Sequence, residues 1–339
     1  MLAILRQAIL SVVVVGTALA AGVVAVAIIN PSSPLPSAAA GPAARPSPGP
    51  TSDRSPSTAS PSSAPDSSSP TEDVAVMVGA GDIADCDRFE DELTANLVET
   101  ISGTVFTAGD HADPDGTTEQ FEACYGPTWG RPTIKERTRP APGDNDFDTP
   151  GAAGYFGFFG DAAGERGAGY YAYDVGAWRV YVLNSNCASI GGCGEGSAQQ
   201  AWLVRDLAAQ PRRCVMAIWH HPYFTSGPSE GGDSSTRNFW RIFQDAGAEI
   251  VISGHDHHYE RFAPQLGDGT VDDNGIVQFI VGTGGSRPDD MFIDAPHSEA
   301  RAFDVFGVLR LELGKDGYRF EFITVAGPQF TDSGGGDCH

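Results

Sequence analysis

Five short polar clusters in this sequence carry side chains of the kinds that divalent metal ions accept as ligands. Carboxylate, amide and imidazole groups fill that role in proteins. The clusters are Gly81-Asp82, Gly109-Asp110, Gly143-Asp144-Asn145-Asp146, His220-His221-Pro222 and Gly254-His255-Asp256-His257. Each one alone is usually an ordinary turn or a structural histidine. Five in one chain favour a metal centre. Because a carboxylate has two oxygens, the set suits two ions about 3.5 to 4 Å apart, as in two-metal hydrolases.

Four of these clusters follow predicted β-strands. Apolar, β-branched runs predict strands at residues 74–78, 104–107, 214–219 and 249–252, just ahead of Asp82, Asp110, His220 and His255. Ligands of α/β proteins gather outside the carboxyl ends of strands. We therefore expect the four side chains to lie close together. His257 is two residues beyond His255 and would face the same way on near-extended backbone, so the two imidazoles can reach different ions.

The rest of the pattern predicts an α/β domain with mixed sheets. Further strands are predicted at residues 178–183, 276–281, 306–313 and 318–325, and helices at 89–101, 198–209 and 236–246, the second behind a cap at Ser197. Strands and helices alternate in the first part of the domain, and strands dominate the last part. That order is typical of an α/β fold.

The N-terminal part predicts export. Residues 1–30 hold an apolar run from 8 to 29 behind Arg6, typical of a signal peptide or a membrane anchor, with Ala18-Leu19-Ala20 as a cleavage site. Residues 31–73 are rich in Pro, Ser and Ala and predict a disordered linker that spaces a domain from a membrane or through a cell wall. Residues 74–339 are long enough for one catalytic domain, which is expected outside the cytoplasm, secreted or anchored.

The charge and the cysteines narrow the function further. A net charge of −23 argues against binding nucleic acid through a basic surface, so an anionic substrate would need bound metal ions as its source of positive charge. Six cysteines in an exported chain predict up to three disulfides. Cys187 and Cys193 bracket a short glycine-rich loop and are the favoured pair, with Cys86 and Cys124 next. Zinc binding by these thiols is less favoured because the chain has no Cys-x-x-Cys motif.

The order of the clusters from Asp82 to His257 resembles the signature of calcineurin-like metallophosphoesterases. Residues 254–261, Gly-His-Asp-His-His-Tyr-Glu-Arg, are similar to the matching block of the purple acid phosphatase branch. The stretch from Pro114 to Gly116 and the aromatic segment 149–159 resemble bacterial relatives of that branch. The resemblance implies an α/β fold of two mixed β-sheets packed as a sandwich flanked by helices. It also implies hydrolysis of a phosphate ester by a metal-bound hydroxide.

The resemblance also implies a ligand set and a role for several side chains. The first metal would be bound by Asp82, Asp110 and His257, and the second by Asp110, Asp144, His220 and His255, with Asp110 as the bridge. The ions would be iron, manganese, zinc or cobalt. His221 would face the substrate or pack behind the ligands. Arg261 would orient the substrate, or else pair with a nearby acid as a structural residue.

Three positions depart from the family pattern. Ala84 replaces a histidine, and Asp113 replaces the tyrosine of purple acid phosphatases, so a ferric-phenolate chromophore is not expected. Asp113 either ligates the first metal, sits behind it, or begins a turn. Asp144 and Asn145 stand where the family has asparagine and histidine. The carboxylate of Asp144 predicts a higher pKa for the bound water. Asn145 can bind the phosphate but is no proton donor, which leaves weak protonation of the leaving group or a donor among His111, His221 and His258.

The sequence therefore predicts an exported two-metal hydrolase, most simply a phosphomonoesterase acting on a small phosphate ester. A phosphodiesterase or nucleotidase would use the same ligands, with substrate choice set by loops such as residues 190–196 and 225–234. A third hypothesis is a degenerate domain that binds phosphorylated ligands without turnover, which Ala84 and Asn145 keep open. Retention of Asp110, His220, His255 and His257 favours an enzyme.

Overall fold

Two mixed β-sheets face one another in the computed structural model, which describes residues 74–228, 232–289 and 292–339. One sheet has six strands in the order β15-β14-β13-β1-β3-β5, and the other has seven in the order β12-β10-β11-β9-β8-β7-β6. A short pair, β2 and β4, completes the strands. Their bounds are β1 (Ala75–Ala80), β2 (Ala84–Asp85), β3 (Thr104–Ala108), β4 (Ala112–Asp113), β5 (Thr138–Ala141), β6 (Tyr171–Val175), β7 (Trp178–Val182), β8 (Cys214–Ile218), β9 (Ile250–Ser253), β10 (Tyr259–Phe262), β11 (Val277–Val281), β12 (Ser298–Ala302), β13 (Phe306–Leu313), β14 (Gly317–Ala326) and β15 (Thr331–Asp337).

Helices cover the outer faces of both sheets. They are α1 (Glu90–Thr100), α2 (Thr118–Gln120) running into a π-helical turn (Phe121–Tyr125), α3 (Pro132–Lys135), α4 (Asp144–Asp148), α5 (Ala153–Phe159), α6 (Ala198–Ala209) and α7 (Arg237–Asp245), with 3₁₀ turns at Gly160–Ala163 and Ser234–Thr236. The Ser197 side chain caps α6 by accepting a hydrogen bond from the Gln200 amide, as predicted. None of the described helices is long and apolar enough to cross a bilayer.

Three apolar layers hold the sandwich together. The central layer fills the space between the sheets and includes Phe106, Trp178, Met216, Phe279 and Leu309, all fully buried. A second layer packs α1 and α5 against the six-stranded sheet, and a third packs α6 and α7 against the seven-stranded one. This confirms the predicted α/β class with two mixed sheets flanked by helices.

Parallel strands bring the polar clusters to one edge of the sandwich. Strands β1, β3 and β5 run parallel in one sheet, and β7, β8, β9 and β11 run parallel in the other. Asp82, Asp110, Asp144, His220 and His255 all lie just past the carboxyl ends of strands from these two sets. The cleft that they share is therefore built by both sheets.

The predicted elements are confirmed to within two residues at their ends. All eight predicted strands and all three predicted helices are present. No strand was predicted for seven regions, namely β2, β4, β5, β6, β10, β12 and β15, and no helix was predicted for α2, α3, α4 and α5. The predicted N-terminal signal or anchor (1–30) and the linker (31–73) lie outside the described residues.

Three disulfides are present in the described chain. Cys187 pairs with Cys193 and Cys86 pairs with Cys124, as predicted. The remaining bond, between Cys214 and Cys338, spans 124 residues and ties β8 of one sheet to the segment that follows β15 of the other.

Candidate metal centre

Four of the predicted ligands converge at the carboxyl-end edge of the sheets. Asp110, Asp144, His220 and His255 each offer one ligand atom, and these atoms lie within 4.8 Å of one another. His220 Nε2 is 2.8 Å from Asp144 Oδ1 and 3.2 Å from Asp110 Oδ2. His255 Nδ1 is 3.1 Å from the same Asp144 oxygen. Two carboxylates and two imidazoles in this arrangement fit one transition-metal ion.

The tautomer of His220 is the one that a metal ligand requires. Its Nδ1 is 2.7 Å from the carbonyl oxygen of Ala108, which can only accept, so Nδ1 carries the proton. Nε2 then carries a lone pair, which is directed at Asp110 and Asp144. This nitrogen is fully buried and has no hydrogen-bond partner among the described residues. A histidine fixed through its other nitrogen in this way is typical of metal sites.

Asp82 and His257 form the adjacent half of the centre. His257 Nε2 is 3.3 Å from Asp82 Oδ1, and both Asp82 oxygens accept from the His255 amide at 3.2 and 3.0 Å. The other nitrogen of His257 donates to the carbonyl of Arg287 at 2.6 Å, which again leaves Nε2 free to bind a cation. The predicted ligands of the first ion thus lie beside those of the second.

The backbone adopts an unusual conformation at three of these ligands. Asp82, Asp110 and His255 have φ values of 57°, 49° and 71°, in the left-handed region that non-glycine residues rarely occupy. Such a conformation costs on the order of 1–3 kcal/mol per residue and is found mainly at functional sites. Gly143 allows the close approach of two ligand loops, since a Cβ there would lie 2.0 Å from Asp110 Oδ1.

The electrostatics of the centre favour a bound cation. Burial raises the pKa of Asp110 to about 7, with the nearby charges of Asp144 and Asp82 adding to the effect against the opposing influence of His220. Burial also raises the pKa of Asp144, but the close approach of the His220 and His255 imidazoles outweighs it and holds that pKa below its ordinary value. Carboxylates that are buried close together are stabilised in their charged form by a nearby positive charge. A bound metal ion supplies such a charge.

His111 and Asp146 brace the loops that carry two ligands. Asp146 Oδ2 accepts from His111 Nδ1 and from the Gly143 amide, both at 2.8 Å, and Thr107 is hydrogen-bonded to the other ring nitrogen at 2.7 Å. His111 is fully buried beside the rings of Phe121, Tyr125, Tyr155 and Phe159. Both of its nitrogens are occupied, so the structure does not present His111 to the cleft as a proton donor.

Asn145 and Asp113 bind each other. The Asn145 side chain donates to Asp113 Oδ1 at 2.8 Å, and the Ser286 hydroxyl donates to Asp113 Oδ2. The backbone amide of Asn145 donates to Asp110 Oδ1 at 3.0 Å. Burial raises the pKa of Asp113 to about 6. Both Asp113 oxygens are thus engaged by neighbouring donors, and Asp113 is not among the four clustered ligands. Of the three predicted alternatives, this geometry favours a position behind the ligands.

Arg261 and His258 point elsewhere. Arg261 Nε donates to Asp332 at 2.7 Å, and its other nitrogens reach Asp332 and Glu299. His258 is buried 3.2 Å from Glu260, which accepts two hydrogen bonds from Ser226. The structure does not bring Arg261 to the cluster, because its guanidinium is paired with acids of β12 and β15. The geometry agrees with the alternative interpretation of Arg261 as a structural ion-pair partner.

His221 lies at the cluster, together with two residues that sequence reasoning missed. Its Nε2 is 3.5 Å from Asp144 Oδ1, and the centre of its ring is 4.5 Å from the centre of the His255 ring. Ser185 is hydrogen-bonded to His221 Nδ1 at 2.7 Å, and Asn186 donates to the carbonyl of Gly143 at 3.0 Å. A signal for them was present, since Asn184-Ser185-Asn186 directly follows a predicted strand, as the ligand clusters do.

The sequence is similar to those of known phosphoesterases. The family model described as calcineurin-like phosphoesterase matches residues 65–259. Purple acid phosphatase 22 of Arabidopsis thaliana is 31% identical over 127 residues, covering 35% of this chain and 27% of that protein. Purple acid phosphatase 15 of the same plant is 26% identical over 137 residues, covering 39% and 25%. The matched segment thus spans about a quarter of these relatives.

Solved structures share the fold. The purple acid phosphatase PPD1 of yellow lupin, Lupinus luteus, superposes with a TM-score of 0.63 at 19% identity, over 78% of this chain and 54% of that one. GAP50, the anchor in the inner membrane complex of Plasmodium, superposes with a TM-score of 0.60 at 15% identity, over 78% of this chain and 89% of that one. At these identities the likeness concerns the fold alone.

Proposed function

Since this chain belongs to the calcineurin-like phosphoesterase family, we propose that it is a two-metal phosphomonoesterase acting outside the cytoplasm. The observation that carries the proposal is the convergence of Asp110, Asp144, His220 and His255 within 4.8 Å. Coordination chemistry explains this grouping better than ordinary packing, because packing does not require a buried, unpartnered imidazole nitrogen to face two carboxylates.

We assign one ion to each half of the centre. Asp110, Asp144, His220 and His255 would hold one, and Asp82, Asp110 and His257 the other, with Asp110 between them. The mixed oxygen and nitrogen donors suit iron, manganese, zinc or cobalt. When bound, such ions lower the pKa of water and stabilise negative charge on a phosphoryl group. Asp113 and Asn145 would hold the Asp110 loop in place from behind.

His221 is the side chain that we assign to the substrate. Burial and the neighbouring His220 and His255 lower the pKa of His221 to about 3, so it is a neutral imidazole at neutral pH. A neutral imidazole can donate one hydrogen bond to a phosphate oxygen, although it holds no spare proton for a leaving group. Small esters with good leaving groups are therefore the substrates that we expect to react fastest.

Two features support the proposed location outside the cytoplasm. Three disulfides among the described residues suit an oxidising compartment. The apolar N-terminal run and the Pro-rich segment after it suit export and attachment to a membrane or cell wall. The predominance of acids over bases also disfavours a polyanionic partner held by a basic surface.

The test combines metal analysis with hydrolysis assays. We expect about two ions per chain, and faster turnover of p-nitrophenyl phosphate than of bis(p-nitrophenyl) phosphate. Asp110→Asn should lower turnover by roughly 100-fold or more, because a Lewis acid supplies several kcal/mol of charge stabilisation. Asp161→Asn, at an exposed aspartate of a 3₁₀ turn, serves as the control.

Each result bears on a separate part of the proposal. Faster turnover of the diester would make the protein a phosphodiesterase on the same centre. Fewer than one ion per chain, or turnover unaffected by Asp110→Asn, would point instead to a domain that binds phosphorylated ligands without hydrolysing them.

A further inference from the structure

The loop after β7 carries no predicted metal ligand, yet it contacts the metal centre at two points. Asn186 donates to the carbonyl of Gly143, the residue before Asp144, at 3.0 Å. Ser185 Oγ accepts from the His221 amide at 3.2 Å and lies 2.7 Å from His221 Nδ1. Ser185 is 3% exposed and Asn186 is 9% exposed. Both side chains therefore act within the protein rather than on its surface.

The fold holds this loop firmly in position. The Gln199 side chain of α6 accepts from the Asn184 amide at 2.8 Å and donates to the Asn184 carbonyl at 2.9 Å. The Cys187–Cys193 disulfide closes the loop just after Asn186, and Asn238 of α7 donates to the Cys193 carbonyl at 3.1 Å. Ser185 thus reaches His221 from a rigid base, which is what a positioning residue requires.

The hydrogen bonds of Ser185 fix which nitrogen of His221 carries the proton. The Ser185 oxygen already accepts from the His221 amide, and a hydroxyl has one proton to donate. Among the described residues, His221 Nδ1 is the one acceptor within hydrogen-bond distance of that proton. If Nδ1 were protonated instead, the buried hydroxyl proton would have no partner, which is unfavourable. The arrangement that satisfies every group places the imidazole proton on Nε2.

The Nε2–H of His221 faces the metal centre. Nε2 is 3.5 Å from Asp144 Oδ1, too long for a good hydrogen bond, so this donor has room for another acceptor. Asn145 stands at the position where the family resemblance places a phosphate-binding histidine. Its side-chain amide is already bound to Asp113. The Nε2–H group of His221 is therefore the uncommitted donor beside Asp144.

We propose that Ser185 is a positioning residue that holds His221 in its Nε2–H tautomer, so that His221 donates a hydrogen bond to a phosphoryl oxygen at the metal centre. This inference rests on the proposed function for its substrate class. The tautomer itself follows from the hydrogen bonds of the described residues.

The test uses three variants of the full-length protein loaded with zinc, which is diamagnetic. Ser185→Ala removes the hydroxyl, Ser185→Thr keeps it, and Ser189→Ala removes an exposed hydroxyl from the same loop as a matched control. Long-range ¹H–¹⁵N spectra report the tautomer of His221, and titration with inorganic phosphate reports binding at its Nε2–H. Metal content is measured in every sample, and kcat and KM for p-nitrophenyl phosphate are measured alongside.

We expect the Nε2–H tautomer in the parent, in Ser185→Thr and in Ser189→Ala, and a mixture of tautomers in Ser185→Ala. Phosphate should shift the His221 signal. With metal content unchanged, kcat of Ser185→Ala should fall by roughly 10-fold to 100-fold, the range found for groups that orient residues of a metal site. Retention of activity in Ser185→Thr would separate loss of the hydroxyl from a general loss of packing.

Two results would overturn the assignment. One is an Nδ1–H tautomer in the parent, and the other is a Ser185→Ala variant that matches Ser189→Ala in tautomer, phosphate binding and kcat. If the parent hydrolyses no ester but shows the Nε2–H tautomer and its shift with phosphate, the proposed hydrolase activity fails while the role of Ser185 is supported.

Discussion

Asp144 is the residue on which most of the centre converges. One of its oxygens lies 2.8 Å from His220, 3.1 Å from His255 and 3.5 Å from His221. The family pattern places a neutral amide at this position, so Asp144 adds a negative charge to the ligand set. Extra negative charge weakens the pull of a bound ion on the electrons of water, and so raises the pKa of that water.

Replacing Asp144 by Asn tests that effect. We expect the pH profile of kcat to keep its shape while the pKa of its acidic limb moves down, because a neutral ligand leaves the ions more electrophilic. The measurement is kcat from pH 4 to 9 at saturating metal, with Asp161→Asn as the control. An unchanged or raised pKa in Asp144→Asn would contradict the argument.

Asp146 offers a second test at the same scale. Because it binds His111 and the Gly143 amide, it holds the Asp144 loop against the Asp110 loop. Asp146→Asn should weaken metal affinity by roughly 10-fold to 100-fold, as for other groups that orient ligands. Excess metal should restore much of the activity. Isothermal titration with zinc measures the change, and an affinity equal to that of the parent would show that the loops keep their geometry without this carboxylate.

Among the secondary-structure elements, two of the disulfides close loops of very different length. The Cys214–Cys338 bond closes a loop of 124 residues, whereas Cys187–Cys193 closes one of 6. A disulfide restricts the unfolded chain more when the loop that it closes is longer. The two bonds should therefore differ in what they contribute to the free energy of unfolding.

Removing each pair with serine measures that difference. From the loop lengths, Cys214→Ser/Cys338→Ser should lower the free energy of unfolding by about 5 kcal/mol, and Cys187→Ser/Cys193→Ser by about 2 kcal/mol. Urea denaturation under non-reducing conditions gives both values. A larger loss from the short loop would show that strain or packing in the native state, rather than the restriction of the unfolded chain, decides the order.

For the molecule as a whole, the buried central strands were predicted from the sequence better than the strands at the edges of the sheets. Buried strands such as β8 and β9 are continuous apolar runs, and they were found to within two residues. The edge strand β5 contains Pro140, which has no amide proton for the ladder of an interior strand. In β15, a Cβ at Gly336 would lie 2.9 Å from the Tyr318 ring of β14. A strand that needs glycine for a neighbouring ring shows no strand signal of its own.

The metal ligands were predictable for a similar reason, and their neighbours were not. Asp82, Asp110, His220 and His255 follow recognisable strands, so their place at one edge comes from topology. The pairing of Arg261 with Asp332, 71 residues away, depends on which way a side chain points in the folded sheet. The same is true of the bond between Ser185 and His221.

We expect Glu249 to make the stability of the fold depend on pH. It is 2% exposed and accepts from the Val215 amide at 2.7 Å and from the His339 amide at 3.3 Å, beside the Cys214–Cys338 bond. Burial raises the pKa of Glu249 to about 7. Because the folded-state pKa lies above the ordinary value, its contribution is fully present below about pH 4.3 and is lost as the pH rises through about 7.

Glu249→Gln should remove that dependence. We expect the free energy of unfolding of the parent to fall between pH 5 and pH 8 by more than that of the variant, because glutamine stays neutral throughout. Urea denaturation at both pH values gives the two slopes, and other titrating groups cancel in their difference. Equal slopes would mean that Glu249 ionises normally in the folded protein.

The left-handed backbone at Asp82, Asp110 and His255 lowers the stability of the fold at the positions that metal binding requires. Glycine would fit those φ angles without strain, and asparagine tolerates them better than histidine does. A mutant library screened for heat resistance in a chelating buffer should therefore accumulate glycine and asparagine at these three positions. The selected variants would be more stable than the parent but would lack the metal centre. Such an exchange of activity for stability is common at functional sites.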